Sequence, residues 1–387
     1  MNFKSFRAFK KPVSLKNLDL KGKNVLVRVD FNCPVEKGKV TNNYRIVETL
    51  PTLRLLKKKG AKKITLVTHF GRPDGKYSAT FSVKPVRLEL EKLWGKKVFC
   101  PPYQTDFKKY ADSVLNDELQ VTCLAGSPCR SLRRSAGRQA SYELRVCMWE
   151  NIRFWPEEEK NDTKFAKALV KDQDIFINEA FSASHREHAS VVGAAKLLPA
   201  YAGLRLAEEV REIHQLMTKK VSPSVAIVGG AKIETKIPVL EALGRNYDKI
   251  ILGGKIAIEY EGLKNRKYQA WTKKVELPSG YLGEQKQDID EKSALEFAKI
   301  IKLAKKIIWN GPMGKFEDKK FRKGSEIIAR AVAQNKKARR LSGGGDTVEL
   351  LEELGLQKRA GFVSTGGGAM LDYIAYGTLP GIEKLKY

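Results

Sequence analysis

Cysteine is scarce, and what there is makes no framework. The 387 residues hold five, Cys33, Cys100, Cys123, Cys129 and Cys147. The number is odd and no C-x-x-C pair occurs, which argues against a disulfide scaffold and against a zinc site. A reducing compartment fits best. No apolar run approaches the ~20 residues that span a bilayer, and the start MNFKSFRAFKKP has no apolar h-region. The expectation is a soluble, cytoplasmic protein without membrane contact. G-x-x-x-x-G-K-[ST] is missing too, so any phosphate seat is not a Walker loop. Negative charge is also short: 44 Asp+Glu against 72 Lys+Arg leaves +28, with a pI near 9.7. Such an excess favours anionic partners, whether phosphorylated metabolites, nucleotides or nucleic acid, without choosing among them. Runs such as Lys57-Lys58-Lys59 are by default solvated surface.

At 387 residues the chain exceeds one ordinary core, so two α/β domains are expected, and 42% hydrophobic residues suffice for them. Residues 24–31, NVLVRVDF, are an apolar run of strand length with a polar end. Ligands of parallel sheets sit beyond the carboxyl ends of strands, which is where Asp30 and Asn32 fall. Arg45 follows in a loop or first helical turn, and 47–56 reads as the helix returning to a strand over 63–68. That strand ends in His69-Phe-Gly-Arg72-Pro73. A helix over 83–93 and a strand over 97–100 continue the rhythm. Strand 145–149 then delivers Arg153, and strand 174–178 delivers Arg186 within SHREHAS. A lone histidine is by default a structural residue and an arginine before proline caps a turn, yet basic groups recurring at successive strand ends are harder to dismiss. His185 and His188 are three apart but lack a third ligand at metal spacing, so a hydrogen-bonded pair beside a substrate arginine is preferred. Residues 120–147, with three cysteines and Arg130, Arg133, Arg134 and Arg138, fit neither helix nor strand. A basic loop ranks first there and a locally altered reading frame second. A nucleic-acid contact ranks last, because no recognition helix or aromatic platform accompanies the arginines.

Residues 341–370, LSGGGDTVELLEELGLQKRAGFVSTGGGAM, contain two glycine triplets. Three residues without Cβ let backbone amides approach an anion, and a following helix aims its positive end there. Gly343, Gly344 and Gly345, then Asp346-Thr347 and an apolar helical pattern over 348–354, suit that scheme. A carboxylate beside a phosphate seat repels the phosphate unless a cation intervenes, which makes Mg²⁺ the natural third party. Gly366, Gly367 and Gly368 sit between a strand-like run at 360–364 and a helical one at 369–375. On their own, both triplets fit tight turns equally well. Upstream, strand 224–228 ends in Gly229-Gly230-Ala231-Lys232, with Lys236 four residues on. A helix beginning near Ala231 puts both ammonium groups on one face, where an anion offsets their conflict with the helix dipole.

Taken in order, RVDFNCP, THFGRP, ENIRF and SHREHAS, then VGGAKIETK at 228–236, WNGPMGKFE at 309–317, SGGGDT at 342–347, STGGGAML at 364–371 and LPGIEKL at 379–385, resemble the phosphoglycerate kinase family. The resemblance covers nearly the whole chain apart from about 101–147. It implies reversible phosphoryl transfer between 1,3-bisphosphoglycerate and ADP, giving 3-phosphoglycerate and ATP with Mg²⁺, by a monomer. The implied fold is two doubly wound parallel-sheet, Rossmann-like α/β domains facing across a cleft and joined by a long helix. The triose domain is 1–199, completed by the tail 376–387; the helix is 200–217, with Leu204, Ala207, Val210, Ile213 and Leu216 at helical spacing; the nucleotide domain is 218–375. Asp30, Asn32, Arg45, His69, Arg72, Arg153 and Arg186 are implied to surround 3-phosphoglycerate, with Arg45 nearest the group in flight. Lys232 is implied to meet the migrating phosphoryl group together with Gly366 and Gly367. Nucleotide contacts fall to Gly230, Lys236, Gly253, Asn310, Glu317 at the ribose, Gly344, Gly345, Asp346 and Thr347, with Asp346 on the metal.

The chain departs from the family pattern at three places. Lys255-Ile-Ala257-Ile258 follows Gly253-Gly254 near the implied adenine site. Ile289-Asp290-Glu291-Lys292-Ser293 stands where the family has I-G-P-K-T. Arg339 and Arg340 stand where a buried strand leads into the first triplet, and burying them unpaired is costly. Two other classes remain in view. An impaired nucleotide-binding paralogue tolerates loss of the triose cluster, yet all seven residues are present; a basic nucleic-acid-binding protein is suggested by charge alone.

Overall fold

The structure, a computed structural model, describes residues 15–115, 144–262 and 270–386. The basic stretch at 120–147 thus lies, as far as residue 143, outside the described residues. Those described form two compact units, 15–207 with 380–386, and 208–379.

The first unit carries a parallel sheet of β1 Asn24–Arg28, β2 Lys63–Val67, β3 Arg145–Met148, β4 Ile175–Asn178 and β5 Ala200–Ala202, in the order β3-β2-β1-β4-β5. β1 is central, its Val25–Arg28 stretch in register with both Ile64–Val67 and Ile175–Asn178. Every residue of β2 and β4 is buried, as in sheets covered on both faces. Helix Tyr44–Lys58 turns Ile46, Leu50, Leu53 and Leu56 inward at helical spacing, so Arg45 sits in its first turn. Residues 97–100 do not form the expected strand. Only Phe99 bridges to Cys147, and Pro101-Pro102, which lack N–H groups, follow at once. Tail residues pack on this unit: Gly381 N–H donates to Ser184 O at 2.8 Å and Lys386 N–H to Ala200 O at 2.8 Å.

The second unit has β6 Ser224–Val228, β7 Lys249–Leu252, β8 Val275–Glu276, β9 Lys306–Asn310, β10 Arg339–Gly343 and β11 Phe362–Ser364, all parallel, in the order β8-β7-β6-β9-β10-β11. Both sheets start from a central strand, build outward to one edge, then restart on its other side. That doubly wound order creates a crevice at the carboxyl ends of β1 and β4 in one unit and of β6 and β9 in the other.

The helix expected over 200–217 begins later, at Leu204, and ends at Thr218. Residues 200–202 are instead drawn into the sheet beside Phe176–Asn178. The buried carboxylate of Glu179 receives Arg205 N–H at 3.2 and 3.3 Å and the Thr52 hydroxyl at 2.6 Å, capping the helix start. Burial raises the Glu179 pKa to about 8, against the hydrogen bonds from Thr52 and Arg205. A carboxyl that is a weaker acid folded than unfolded contributes stability fully present below its unfolded pKa and lost as pH rises through about 8. Asp288, raised by burial to about 6, acts in the same sense. The denaturant midpoint should fall between about pH 5 and about pH 9, and Glu179→Gln should flatten that fall. An unchanged slope in the variant would assign the dependence to other groups.

The departures from pattern have local explanations. Asp290 caps helix Glu291–Leu303, its carboxylate receiving Ser293 N–H at 2.8 Å. Arg339 donates to Glu212 Oε2 at 2.6 Å. Arg340 Nη1 donates to the carbonyls of Val332, Ala333 and Arg359 at 3.1, 3.1 and 2.8 Å, two of them in the last turn of helix Lys323–Gln334. The two arginines are half-buried and partnered through their terminal nitrogens, which lowers the expected cost, although the Nε of each is buried without a hydrogen-bond partner.

Candidate active site

In the first unit, four strand ends deliver a cationic rim. Beyond β1, Asp30 is 6% exposed and its carboxylate accepts from Arg45 and from the hydroxyl of Ser182. Asn32 Oδ1 receives Gly71 N–H at 2.9 Å, tying the end of β1 to the turn after β2. Arg153, beyond β3, donates to Gly71 O at 2.8 Å and pairs with Glu159 at 3.1 Å. Arg186 donates from Nε to His185 Nε2 at 3.3 Å. His188 Nδ1 instead faces Glu158 Oε1 at 3.7 Å, so the two histidines of SHREHAS have separate partners. Arg72 is exposed on the same rim.

His69 is half-buried among these cations. Arg28 Nη2 lies 3.2 Å from its Nδ1, and a guanidinium only donates. The imidazole therefore accepts at Nδ1 and carries its proton on Nε2. Desolvation, then the fields of Arg28, Arg153, Arg45 and Arg186, hold its pKa well below the usual range, so it is a neutral donor at physiological pH. His188 is lowered to about 3 by burial and by Arg28, Arg153 and Arg186. Such a field stabilises a bound anion and opposes any further proton.

Two residues essential to this geometry lie inside the motifs RVDFNCP and ENIRF but receive no role from the sequence reading. Arg28, 1% exposed within β1, donates to Ser190 Oγ at 2.8 Å and Val29 O at 2.6 Å as well as facing His69. Its signal is an arginine inside an otherwise apolar strand. Asn151, fully buried, receives Phe70 N–H and Arg153 N–H on Oδ1, both at 3.1 Å, and donates to Phe70 O at 2.6 Å. It fixes His69 and Arg153 relative to one another, and its sequence signal is its place in ENIRF at a strand end.

In the second unit, a cavity of about 330 Å³ opens at the carboxyl ends of β6, β9 and β10. Gly230, Lys232, Thr235, Lys236, Asn310, Gly311, Gly344, Gly345, Asp346 and Thr347 contribute to its wall. The helix expected from Ala231 begins at Ile237, with Pro238 in its first turn and Lys236 at its N-cap. Lys232 is therefore an exposed loop residue and not one face of a helix. Lys236 is half-buried; desolvation lowers its pKa against the fields of Asp372 and Asp346, and its Nζ lies 3.4 Å from Asn310 Oδ1. Asn310 Nδ2 donates to Gly343 O at 2.9 Å, so Asn310 orients Lys236 from a fixed position.

The two triplets abut. Gly344 has φ of +104°, a conformation open to glycine, and N-caps helix Gly345–Glu353; Gly366 N-caps helix Gly367–Tyr376. A Cβ on Gly367 would come within 3.0 Å of Gly344 Cα. The N-terminus of helix Gly367–Tyr376 thus packs against that of helix Gly345–Glu353, which lies on the cavity wall, and Gly366 N–H is taken by Ser364 Oγ at 3.2 Å. The buried Thr347 hydroxyl accepts Gly311 N–H at 2.8 Å and keeps its own proton to donate. Glu209, another residue without a sequence signal, receives Thr365 N–H at 2.7 Å and its hydroxyl at 2.9 Å, anchoring the second triplet. Gly253, Glu317, Gly366 and Gly367 lie outside the cavity wall, and Glu317 is exposed. Among the described residues no group of three or more His, Cys, Asp or Glu is arranged to hold a metal. A lone exposed carboxylate, Asp346, fits Mg²⁺ as it binds with phosphates and water completing the shell.

The sequence pattern of one family, phosphoglycerate kinase, matches residues 15–277 and 264–376. A phosphoglycerate kinase of Leptospira biflexa is 37% identical over 416 aligned residues, covering 96% of this chain and 97% of that protein. One from Rubrobacter xylanophilus is 35% identical, with 96% and 97% covered. The solved phosphoglycerate kinase of Coxiella burnetii superposes with a TM-score of 0.74 at 30% identity, over 96% of this chain and 98% of that one. With a doubly wound sheet in each unit, a cationic rim in one and a cavity lined by glycines and two lysines in the other, the chain belongs to the phosphoglycerate kinase family.

Proposed function

We propose that this chain interconverts 1,3-bisphosphoglycerate and ADP with 3-phosphoglycerate and ATP, the triose acid on the cationic rim and the nucleotide in the cavity. The observation that carries the assignment is the cavity itself, where the N-terminus of helix Gly345–Glu353, Lys232 and Lys236 meet beside the Asp346 carboxylate. Phosphoryl transfer asks a protein for in-line positioning and charge neutralisation more than for covalent chemistry. On the rim, Arg72, Arg153, Arg186 and the Nε2–H of His69 bind the triose phosphate and carboxylate, while Asp30 and Asn32 orient the hydroxyl. Arg45, held by Asp30, turns toward the acyl phosphate end. In the cavity, Lys236, Thr347 and the amides at Gly344 and Gly345 bind nucleotide phosphates. Lys232, with the amides at Gly366 and Gly367, neutralises the equatorial oxygens in flight. Asp346 would hold Mg²⁺, which supplies charge neutralisation on the nucleotide phosphates. Gly230, Gly253 and Asn310 shape the nucleotide side, and Glu317 reaches the ribose.

The proposal includes closure of the two units to keep water from the phosphoryl group, in a cytoplasmic monomer. The free thiols Cys33, Cys100 and Cys147 suit a reducing compartment, and among the described residues no helix is long and apolar enough to cross a membrane. The test is a coupled assay for ATP formation from 1,3-bisphosphoglycerate and ADP. Turnover that requires Mg²⁺ is expected; none from folded protein supplied with Mg²⁺ would overturn the reading.

A further inference from the structure

Of the two lysines in the cavity wall, Lys232 has an exposed side chain and a backbone in neither helix nor strand. Something else must fix the loop it stands on. Internal bonds shape the loop locally: Thr235 Oγ1 donates to Lys232 O at 2.9 Å, and Lys236 N–H to Ile233 O at 2.8 Å. These bonds define a turn but do not tie it to the scaffold. Helix Gly254–Gly262 makes that attachment twice. Ile256 N–H donates to Gly230 O at 3.2 Å, and Glu259 Oε2 receives Ile233 N–H at 2.7 Å. The first contact comes from an amide in the helix's opening turn and the second from a side chain three residues on, so the start of one helix grips both ends of 230–233. The close approach depends on Gly254, whose φ is +61° and whose Cβ, if present, would lie 2.9 Å from Gly230 O. Ile233 is itself 1% exposed, so its amide would be costly to leave unpaired.

From this geometry we infer that Glu259 is a positioning residue for phosphoryl transfer: its carboxylate pins the Ile233 amide and thereby sets the adjacent Lys232 against the migrating group. Glu259 touches no reactant. It acts through the backbone, and only as an acceptor. The inference rests on the reading of Lys232 given above, and the two can fail separately. It also gives the segment after Gly253-Gly254 a task beyond lining a nucleotide site.

The acceptor role sets the test. Glu259→Gln keeps an acceptor oxygen at the same reach, whereas Glu259→Ala removes it. In Glu259→Ala, hydrogen exchange at the Ile233 amide should accelerate by roughly tenfold, as expected for loss of one protecting bond. In the same variant kcat should fall by roughly tenfold with the KM for 3-phosphoglycerate unchanged, since a misplaced group costs rate more than binding. Glu259→Gln should restore both. Faster exchange with undiminished kcat would overturn the positioning role. A Gln variant as impaired as Ala would overturn the acceptor role and point to the charge instead. Should Lys232→Ala leave kcat intact while Glu259→Ala lowers it, the pin would stand and the role given to Lys232 would be what fails.

Discussion

Replacing Lys232 by alanine should lower kcat by roughly 10²- to 10³-fold, the usual cost of losing one preorganised group that meets developing transition-state charge. The side chain is exposed, and its loss leaves no buried group unpaired, so the variant should fold as the parent does. That separates catalysis from stability. Lys236 provides the contrast within the same cavity. It is half-buried, lies 3.4 Å from Asn310 Oδ1, and has a pKa lowered by desolvation, all marks of a cation built to receive a resident anion. Lys236→Ala should therefore raise the nucleotide KM, whereas Lys232→Ala should act on kcat and kcat/KM equally. Steady-state kinetics of the two variants in both substrates decide the matter. A pure KM effect at Lys232 would contradict its role.

How much of this was legible in the sequence depended on whether the chemistry followed from local order. Asp30, His69, Arg153 and Arg186 were readable because a parallel sheet brings residues just beyond its strands to one edge, and each of these follows a recognisable apolar run. The triplets were readable as helix starts for the same reason. Three things were not. The start of helix Ile237–Asn246 is hidden because loop residues 231–236, two of them lysines, carry no break signal until Pro238. Ala200–Ala202 looked like the first turn of a helix, and alanine is a good helix former; tertiary pairing with β4 outweighs that preference. Arg340 looked like an unpaired buried charge because the carbonyls it satisfies belong to residues 332, 333 and 359, which no periodicity connects to it. Propensity and spacing report local preference. Partners distant in sequence decide the exceptions.

The same distinction leads to the second large effect, at a residue that no motif includes. Glu158 has a fully buried side chain and receives Ser190 N–H at 2.8 Å and the Ser190 hydroxyl, while Arg28 Nε donates to that hydroxyl at 2.8 Å. Burial raises the Glu158 pKa and lowers that of Arg28 to about 10, so each ion is strained by desolvation and relieved by the other's field. Removing one member of such a pair leaves an uncompensated charge, which typically costs about 3–5 kcal/mol, whereas replacing both with apolar side chains costs far less. Glu158→Ala should accordingly lower unfolding free energy by about that amount in denaturant titrations. Arg28→Leu combined with Glu158→Leu should be markedly less destabilised than the two single changes summed. Additive losses would mean that Ser190 and the surrounding packing, not the charge pair, account for the site. The double variant should still lose affinity for 3-phosphoglycerate, because Arg28 is also the donor that sets the tautomer of His69. The network is thus expected to separate into a stability part that hydrophobic replacement recovers and a binding part that it cannot.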